Sequence, residues 1–372
     1  MGKYIVVGAG ILGASTAYHL TKSGSEVVLF DKNAQGQATD AAAGLICPWL
    51  SQRRNKAWYL LAKNGAKYYP ELIKDLTKNG AANAGYRQVG AISIHHSQEK
   101  LDQLLERALK RKEDAPEMGE IRLLSKEETK EVFPLLSEEY AALYVSGAAR
   151  VDGRELLSTL VEISKSNGAT FLETSVDKIV VAGNRAIGVE AGGKIFEADG
   201  VIITTGAWAG ELLSPLGLEI DIYFQKGQII HLHLEDYETN DWPVVIPPGS
   251  KDILPFDEGK VVIGSTHEEA EEFDTKVTAG GLHEILEKAL QVAPGLKKAS
   301  FVEARVGFRP YTPGFLPIIG PVPHFDNLYL ANGLGASGLT VGPYLGAQLA
   351  KLATGKSPDI DLSPYDVSNA MK

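Results

Sequence analysis

"KYIVVGAGILGASTAYHLTKSGSEVVLFDKN", residues 3–33, decides the fold. Tyr4 to Val7 form a short, unbroken apolar run, the pattern of a strand buried on both faces of a parallel sheet. Gly8, Gly10 and Gly13 follow in GxGxxG spacing. Gly8 permits a tight turn, Gly10 lets backbone approach a pyrophosphate, and Gly13 lets the next helix pack closely on the sheet. That helix aims its free N–H groups and positive end at phosphate. "EVVLFD" (26–31) is a second strand ending in Asp31, where a carboxylate can accept from a ribose hydroxyl. A lone GxGxxG says little; preceded by a strand, followed by a helix and completed by the acid, it predicts a dinucleotide site. The acid also disfavours a 2′-phosphate, and with it NADP.

The next stretch separates FAD from NAD. An NAD enzyme normally proceeds to another βα unit, whereas "QGQATDAAAGLICP" (35–48) is rich in small residues. Such a loop suits close contact with a flat ring system, and so FAD; a flexible Ala/Gly connection is the alternative reading.

Bulk properties bound the rest. With 372 residues, 44% hydrophobic and 23% charged, the chain has the composition of a globular protein of two domains. A formal charge of −10 argues against nucleic acid as a partner. The basic residues of "ERALKRKED" (106–114) are interleaved with acids and read as a solvated helix face. Cys47 is the only cysteine, so no internal disulfide forms and a reducing compartment is expected. The apolar amino terminus carries glycines where a signal peptide keeps bulk, and no run of eighteen apolar residues appears. A cytoplasmic protein is expected, with peripheral membrane contact and homo-oligomerisation left open.

Later segments return to the same nucleotide fold. Asp152 is placed to cap a helix bearing Leu156, Leu157, Leu160 and Val161. "ATFLE" (169–173) is a strand, followed by three β runs turning at Gly183-Asn184 and Gly192-Gly193. "GVIITTGAWAG" (200–210) and "NLYLANGLGASGLTVGPYLGAQLAKLATG" (327–355) each give a strand and a glycine turn, the second leading into a helix near Gly338. That helix contains glycine and proline, so tertiary packing must hold it. Other segments differ in character. Residues 86–145 hold the strand-like "VGAISIHH", a helix over about 97–112 and a capping box at Ser125 and Glu128. "QIIHLHL", "DILPFD" and "KVVIGSTHE", within 218–305, suit an antiparallel sheet. The fold class is therefore α/β plus α+β: a Rossmann-like FAD-binding domain (1–85, 146–217 and 306–372) and a discontinuous antiparallel-sheet substrate domain (86–145 and 218–305).

"GFRPYTPGFLPIIG" (307–320) puts Arg309 among Phe308, Pro310, Phe315 and Pro317. Burying a guanidinium there is costly unless an anion pairs with it. The anion is either a substrate or an internal acid such as Glu303 or Asp252. His231 and His233 alternate along one strand; a metal site needs more ligands than are evident, so they read as sheet histidines and no metal is expected.

With "TDAAAGLI" (39–46), "TTGAWAG" (204–210), "GFRPYTPGFLPIIG" and "GLGASGLTVGP" (333–343) following the opening fingerprint in order, the chain resembles the FAD-dependent D-amino-acid oxidase superfamily from end to end. It looks most like glycine oxidase, sarcosine oxidase and D-amino-acid dehydrogenase. The resemblance implies a site, residue by residue. Gly8, Gly10, Ile11, Leu12 and Gly13 would form the pyrophosphate turn, and Asp31 with Lys32 the ribose contact. Ala38, Thr39, Ala43, Gly44 and Leu45 would lie against the pyrophosphate and isoalloxazine. Val176 would meet the adenine, and Gly206 would open a glycine–aromatic turn. Leu334, Gly335, Ala336, Ser337, Gly338, Leu339 and Thr340 would reach the flavin's pyrimidine edge, and Arg309 would grip a substrate carboxylate. Two positions on the substrate side depart from glycine oxidase: Asp252, which would hold a substrate ammonium or hydroxyl or else face solvent, stands where a substrate-contacting tyrosine is expected, and Ala336 where a second arginine is.

The implied activity is oxidation of the C–N bond of a small amino acid or secondary amine, with hydride passing to the flavin and an imine hydrolysed to a keto acid. No dedicated general base is implied, and oxygen or a quinone would be the acceptor. FAD would be non-covalent, because the family's covalent cysteine lies near the segment matching 314–317, which has none; Cys47 sits elsewhere. The alternatives are an electron-transfer subunit of a larger amino-acid dehydrogenase, with little catalysis of its own, and an NAD-linked dehydrogenase.

Overall fold

The structure is a computed structural model describing residues 2–249 and 251–372. Among these residues the opening strand, Lys3–Val7, lies inside a six-stranded sheet. On one side it pairs in parallel with Glu26–Asp31, beyond which lies Thr170–Glu173. On the other it pairs in parallel with Gly200–Ile203, then Leu328–Asn332, and Ile318–Pro321 closes that edge antiparallel. Both faces are covered, as the continuous apolar runs require. Alternate residues serve opposite faces: Ile5 and Val7 pack with Ile179, Ala186 and Val189 of a three-stranded meander, while Val6 packs with Leu12, Leu345 and Leu349 of two helices. The meander, Lys178–Ala182, Arg185–Ala191 and Lys194–Glu197, turns at the two glycine sites expected.

Helix termini follow their sequence signals. Asp152 accepts from the backbone N–H groups of Arg154 and Glu155 at the start of Gly153–Ser166, and Ser125 with Glu128 closes a capping box. The helix Gly338–Ala353 is held by packing. A side chain at Gly346 would stand 2.7 Å from Ser15 of the helix Ile11–Lys22, so the two backbones approach closely. Pro343 has no N–H for the carbonyl of Leu339, and the hydroxyl of Tyr69 donates to it instead at 2.6 Å. Tyr69 lies on Lys56–Lys78, a helix capped by Asn55.

The second large sheet holds the long antiparallel pair Tyr223–His233 and Ser300–Tyr311. Lys260–Gly264 and Asp252–Pro255 continue it antiparallel. Its expected all-antiparallel order is broken once, because Val244–Ile246 runs parallel to Ala91–His95. Alternation along a strand fixes its faces but not its direction, and the long chain segment between these two strands supplies the crossover that a parallel pair needs. Residues Leu45–Ile46, Ala149–Val151 and Tyr86–Gln88 form a small sheet between the two larger ones. Among the described residues no helix is long and apolar enough to cross a membrane.

Candidate functional site

A cavity of about 440 Å³ extends from the carboxyl ends of the parallel strands to the second sheet. Its lining includes the glycine turn and Asp31 from the first sheet, and Asp252, His267 and Arg309 from the second. All site residues expected from the sequence line it except Gly13. Gly13 instead serves packing: a Cβ there would lie 1.8 Å from the carbonyl oxygen of Gly8.

At the nucleotide-like end, Gly8 has φ +98° and turns the chain against Thr204. Gly10, Ile11 and Leu12 follow at the helix start, where Gly10 provides no side-chain cap. Thr39 takes the N–H of Ile11 at 3.1 Å, tying the small-residue loop to the turn. Asp31 accepts from the N–H of Ala9 (2.6 Å), the N–H of Asn33 (2.6 Å) and the amide of Gln37 (2.9 Å). A carboxylate offers about four lone-pair sites, so one remains for a ligand hydroxyl. Lys32 is already paired with Glu211 at 2.8 Å and lies over the Trp208 ring, so its charge is spent within the protein. Val176 borders this end from the loop after Thr170–Glu173.

Glycine identity tests the fit of a ligand. Gly10 and Gly338 both have ordinary negative φ, so neither backbone requires glycine. A Cβ at Gly338 would meet no protein atom within 4 Å, and at Gly10 only Thr39 at 3.6 Å. Both line the cavity, so the space their side chains would fill is cavity space. Ala38, Ala43, Gly44, Leu45 and Gly206 contribute further small or backbone surface, as do Leu334 to Thr340. This is a cradle for a flat, extended group, and it fits FAD.

At the other end Arg309 points back over Gly227, where a Cβ would clash with its guanidinium. Nη1 donates to the carbonyl of Thr266 at 3.1 Å and lies 3.4 Å from Nδ1 of His267; Nη2 donates to the hydroxyl of Ser265. Among the described residues no carboxylate pairs with it. Glu303 is taken by Arg305 at 3.0 Å, and Asp252 makes no ion pair, so the internal salt bridge is overturned. Burial presses the guanidinium's pKa down, although an arginine stays charged. Burial, and then Arg309, also lowers the pKa of His267, which favours its neutral form as an acceptor. Burial pushes Asp252 up to about 7. Part of its surface is open, but onto the cavity. Ala336 lines the cavity without charge, leaving the expected second guanidinium absent at that position.

Several site residues were not legible beforehand. Ser265, Thr266 and His267 form a polar tail after a strand, and only their place beside Arg309 gives them meaning. Asn332 donates to the carbonyl of Gly206 at 2.8 Å and accepts from Gly333 at 2.7 Å, bracing two glycine turns. Trp58 donates from Nε1 to Ser337 at 2.9 Å. Arg53 stacks on that Trp58 ring at 4.7 Å and donates to the carbonyl of Phe315, with no acid partner among the described residues. Of the two strand histidines, His231 is buried 4.0 Å from Glu303. The described residues contain no cluster of three or more metal-ligating side chains.

The sequence profile described as "DAO: FAD dependent oxidoreductase" matches residues 3–352. The chain is 56% identical to "Uncharacterized oxidoreductase YurR" of Bacillus subtilis (strain 168), covering all of both chains. It is 30% identical to a glycine oxidase of Pseudomonas aeruginosa over 98% of each. The crystal structure of iminodiacetate oxidase from Chelativorans sp. BNC1 superimposes with a TM-score of 0.94 at 43% identity, covering 98% of both chains. The protein belongs to the DAO family of FAD-dependent oxidoreductases.

Proposed function

We propose that this oxidoreductase oxidises the C–N bond of a small amino acid or secondary amine whose carboxylate is bound by Arg309. The observation that carries the reading is the state of that arginine: buried in the cavity, held by neutral acceptors, and paired with no carboxylate among the described residues. Such a charge destabilises the fold by several kcal/mol unless an anion completes it. A planar guanidinium offers a carboxylate two parallel hydrogen bonds, which fix orientation as well as affinity. Ser265, Thr266 and His267 hold the fork, and a low-dielectric surrounding strengthens such a pair. Glycine oxidase and iminodiacetate oxidase, among the relatives, are named for substrates of this kind.

FAD, when bound, supplies the two-electron acceptor. The residues that would hold it are the Gly8–Leu12 turn with its helix dipole for the pyrophosphate, Asp31 for ribose and Val176 beside adenine. Ala43 to Leu45 and Leu334 to Thr340 would lie along the ring system. The binding is non-covalent in this reading: Cys47 lines the cavity, but burial pushes its thiol up to about 12, which suppresses the nucleophilic thiolate.

Within this substrate class Arg53 favours an amine with a second carboxylate. It is half-buried and stacks on Trp58, a cavity-lining ring whose Nε1 donates to Ser337 next to Ala336, so a cation stands behind that part of the wall. Arg309→Ala is expected to raise KM for the best amino-acid substrate at least ~100-fold with FAD retained, since a desolvated charge pair contributes ~2–5 kcal/mol. An unchanged KM would remove the anchor role.

A further inference from the structure

Asp252 is the acid in the site that the protein leaves unanswered. It opens the strand Asp252–Pro255 and pairs in register with Gly264, next to the Ser265 that holds Arg309. All four residues line the cavity, and Asp252 stands one strand over from the end of the strand whose next residue, Ser265, holds the guanidinium. Two other part-buried carboxylates are satisfied: Asp152 by Lys260 and two backbone N–H groups, Asp75 by Lys22 and Tyr18. Asp252 has no hydrogen-bond or ion-pair partner among the described residues.

The groups around it leave it available. Lys251, its neighbour, is engaged by Glu284 at 2.7 Å and by the carbonyl of Ser265 at 2.6 Å. Cys47 is held as a neutral thiol, His267 is favoured neutral, and Arg309 is bound to Ser265 and Thr266. A substrate bound through its carboxylate to Arg309 would carry its cationic nitrogen into the cavity that Asp252 also lines.

We propose that Asp252 is a catalytic residue that receives the substrate's ammonium and takes one proton from its nitrogen. The step breaks one N–H bond and forms one O–H bond; no electrons change hands in it. It leaves the nitrogen neutral with its lone pair free for the two-electron C–N oxidation that the FAD-dependent activity supplies, and the proton passes from the carboxyl to water. A carboxyl raised to about 7 is matched to this task near neutral pH. Burial beside Arg309 lowers the ammonium's own hold on the proton and narrows the gap between donor and acceptor. The proposal rests on the reading that the substrate is an amine anchored by Arg309.

The test is the anaerobic rate of flavin reduction by the best amine substrate between pH 6 and 10, in holoenzyme and in Asp252→Asn, with acetate binding followed by the flavin spectrum. Wild type is expected to show an acidic limb near pH 7. In Asp252→Asn the limb moves up by two pH units or more. The rate at pH 7 then falls at least ~100-fold and recovers near pH 10, while acetate, which has no amine, binds within threefold of wild type. Asp252→Glu, which keeps an acid, retains a limb near neutrality. An unshifted limb in Asp252→Asn, or a loss uniform across pH, overturns the proposal while leaving the amine reading intact. Failure of any amine to reduce the wild-type flavin overturns both.

Discussion

Gly227→Ala moves the proposed anchor without removing it. Gly227 lies opposite Gly307 in the long strand pair, and its φ is outside the left-handed region, so alanine strains no backbone. The new methyl carbon would stand 2.2 Å from Nη2 of Arg309 and 2.6 Å from Cζ. Ordinary carbon contacts lie at ~3.5–4.0 Å, so the guanidinium must retreat by about 1 Å or more. It is the end of a flexible side chain, so the fold yields cheaply, but Nη2 leaves Ser265 and the fork is re-aimed. A misplacement of about 1 Å costs ~100-fold where a bound geometry must be held for reaction. Steady-state kinetics on the best amino-acid substrate should therefore show kcat/KM down on the order of 100-fold, with FAD content and melting temperature close to wild type. The comparison protein is Arg309→Ala. If Gly227→Ala stays within threefold of wild type while Arg309→Ala fails, the guanidinium does not act from the position seen over Gly227.

Two further perturbations probe the cradle and the core. Gly338→Ala adds a methyl that meets no protein atom at the first position of its helix, where φ is already helical, so the apoprotein should be as stable as wild type or slightly more so. The same methyl enters cofactor space at an overpacking cost of ~1–3 kcal/mol, so the FAD dissociation constant should rise ~5- to 150-fold; fluorescence titration giving unchanged affinity would exclude contact at that edge. His19 and His231 are both lowered to about 4, first by burial. Unfolded, they protonate near ~6.5, so between these values the unfolded chain binds more protons and stability falls as pH drops. Asp252, raised to about 7, opposes them in the same window, but it is one group against two. Urea midpoints with excess FAD should fall from pH 7 to pH 4.5, and a flat or rising midpoint would contradict the buried-neutral assignment.

Much of the fold could be read from local chemistry. The strand, glycine turn, helix and Asp31 are contiguous, so their spacing alone specifies a nucleotide cradle. Arg309 was legible because a lone cation in an apolar stretch is a local anomaly. What surrounds it was not: Ser265, Thr266 and His267 are distant in sequence, and which face Asp252 presents depends on register with Gly264. The parallel pair formed by Val244–Ile246 was hidden for the same reason, since alternation carries no direction. The helix Lys56–Lys78 did carry a signal, Asn55 before Trp58, Leu61, Ala62, Gly65, Tyr69, Leu72 and Leu76 at helical spacing. Pro70 within it obscures that pattern, and Tyr69 beside it completes the backbone of another helix.

The most direct measurement is anaerobic titration of the purified yellow protein with matched pairs of amines, with and without a carboxylate. Glycine is set against methylamine, and sarcosine and iminodiacetate against dimethylamine; air is then admitted and peroxide assayed. The expected result is bleaching of the flavin absorption by one or more carboxylated amines and by none of their counterparts, with the preference abolished in Arg309→Ala. Equal bleaching by amines that lack a carboxylate, or bleaching by none of the compounds, would contradict a site organised around a carboxylate on Arg309.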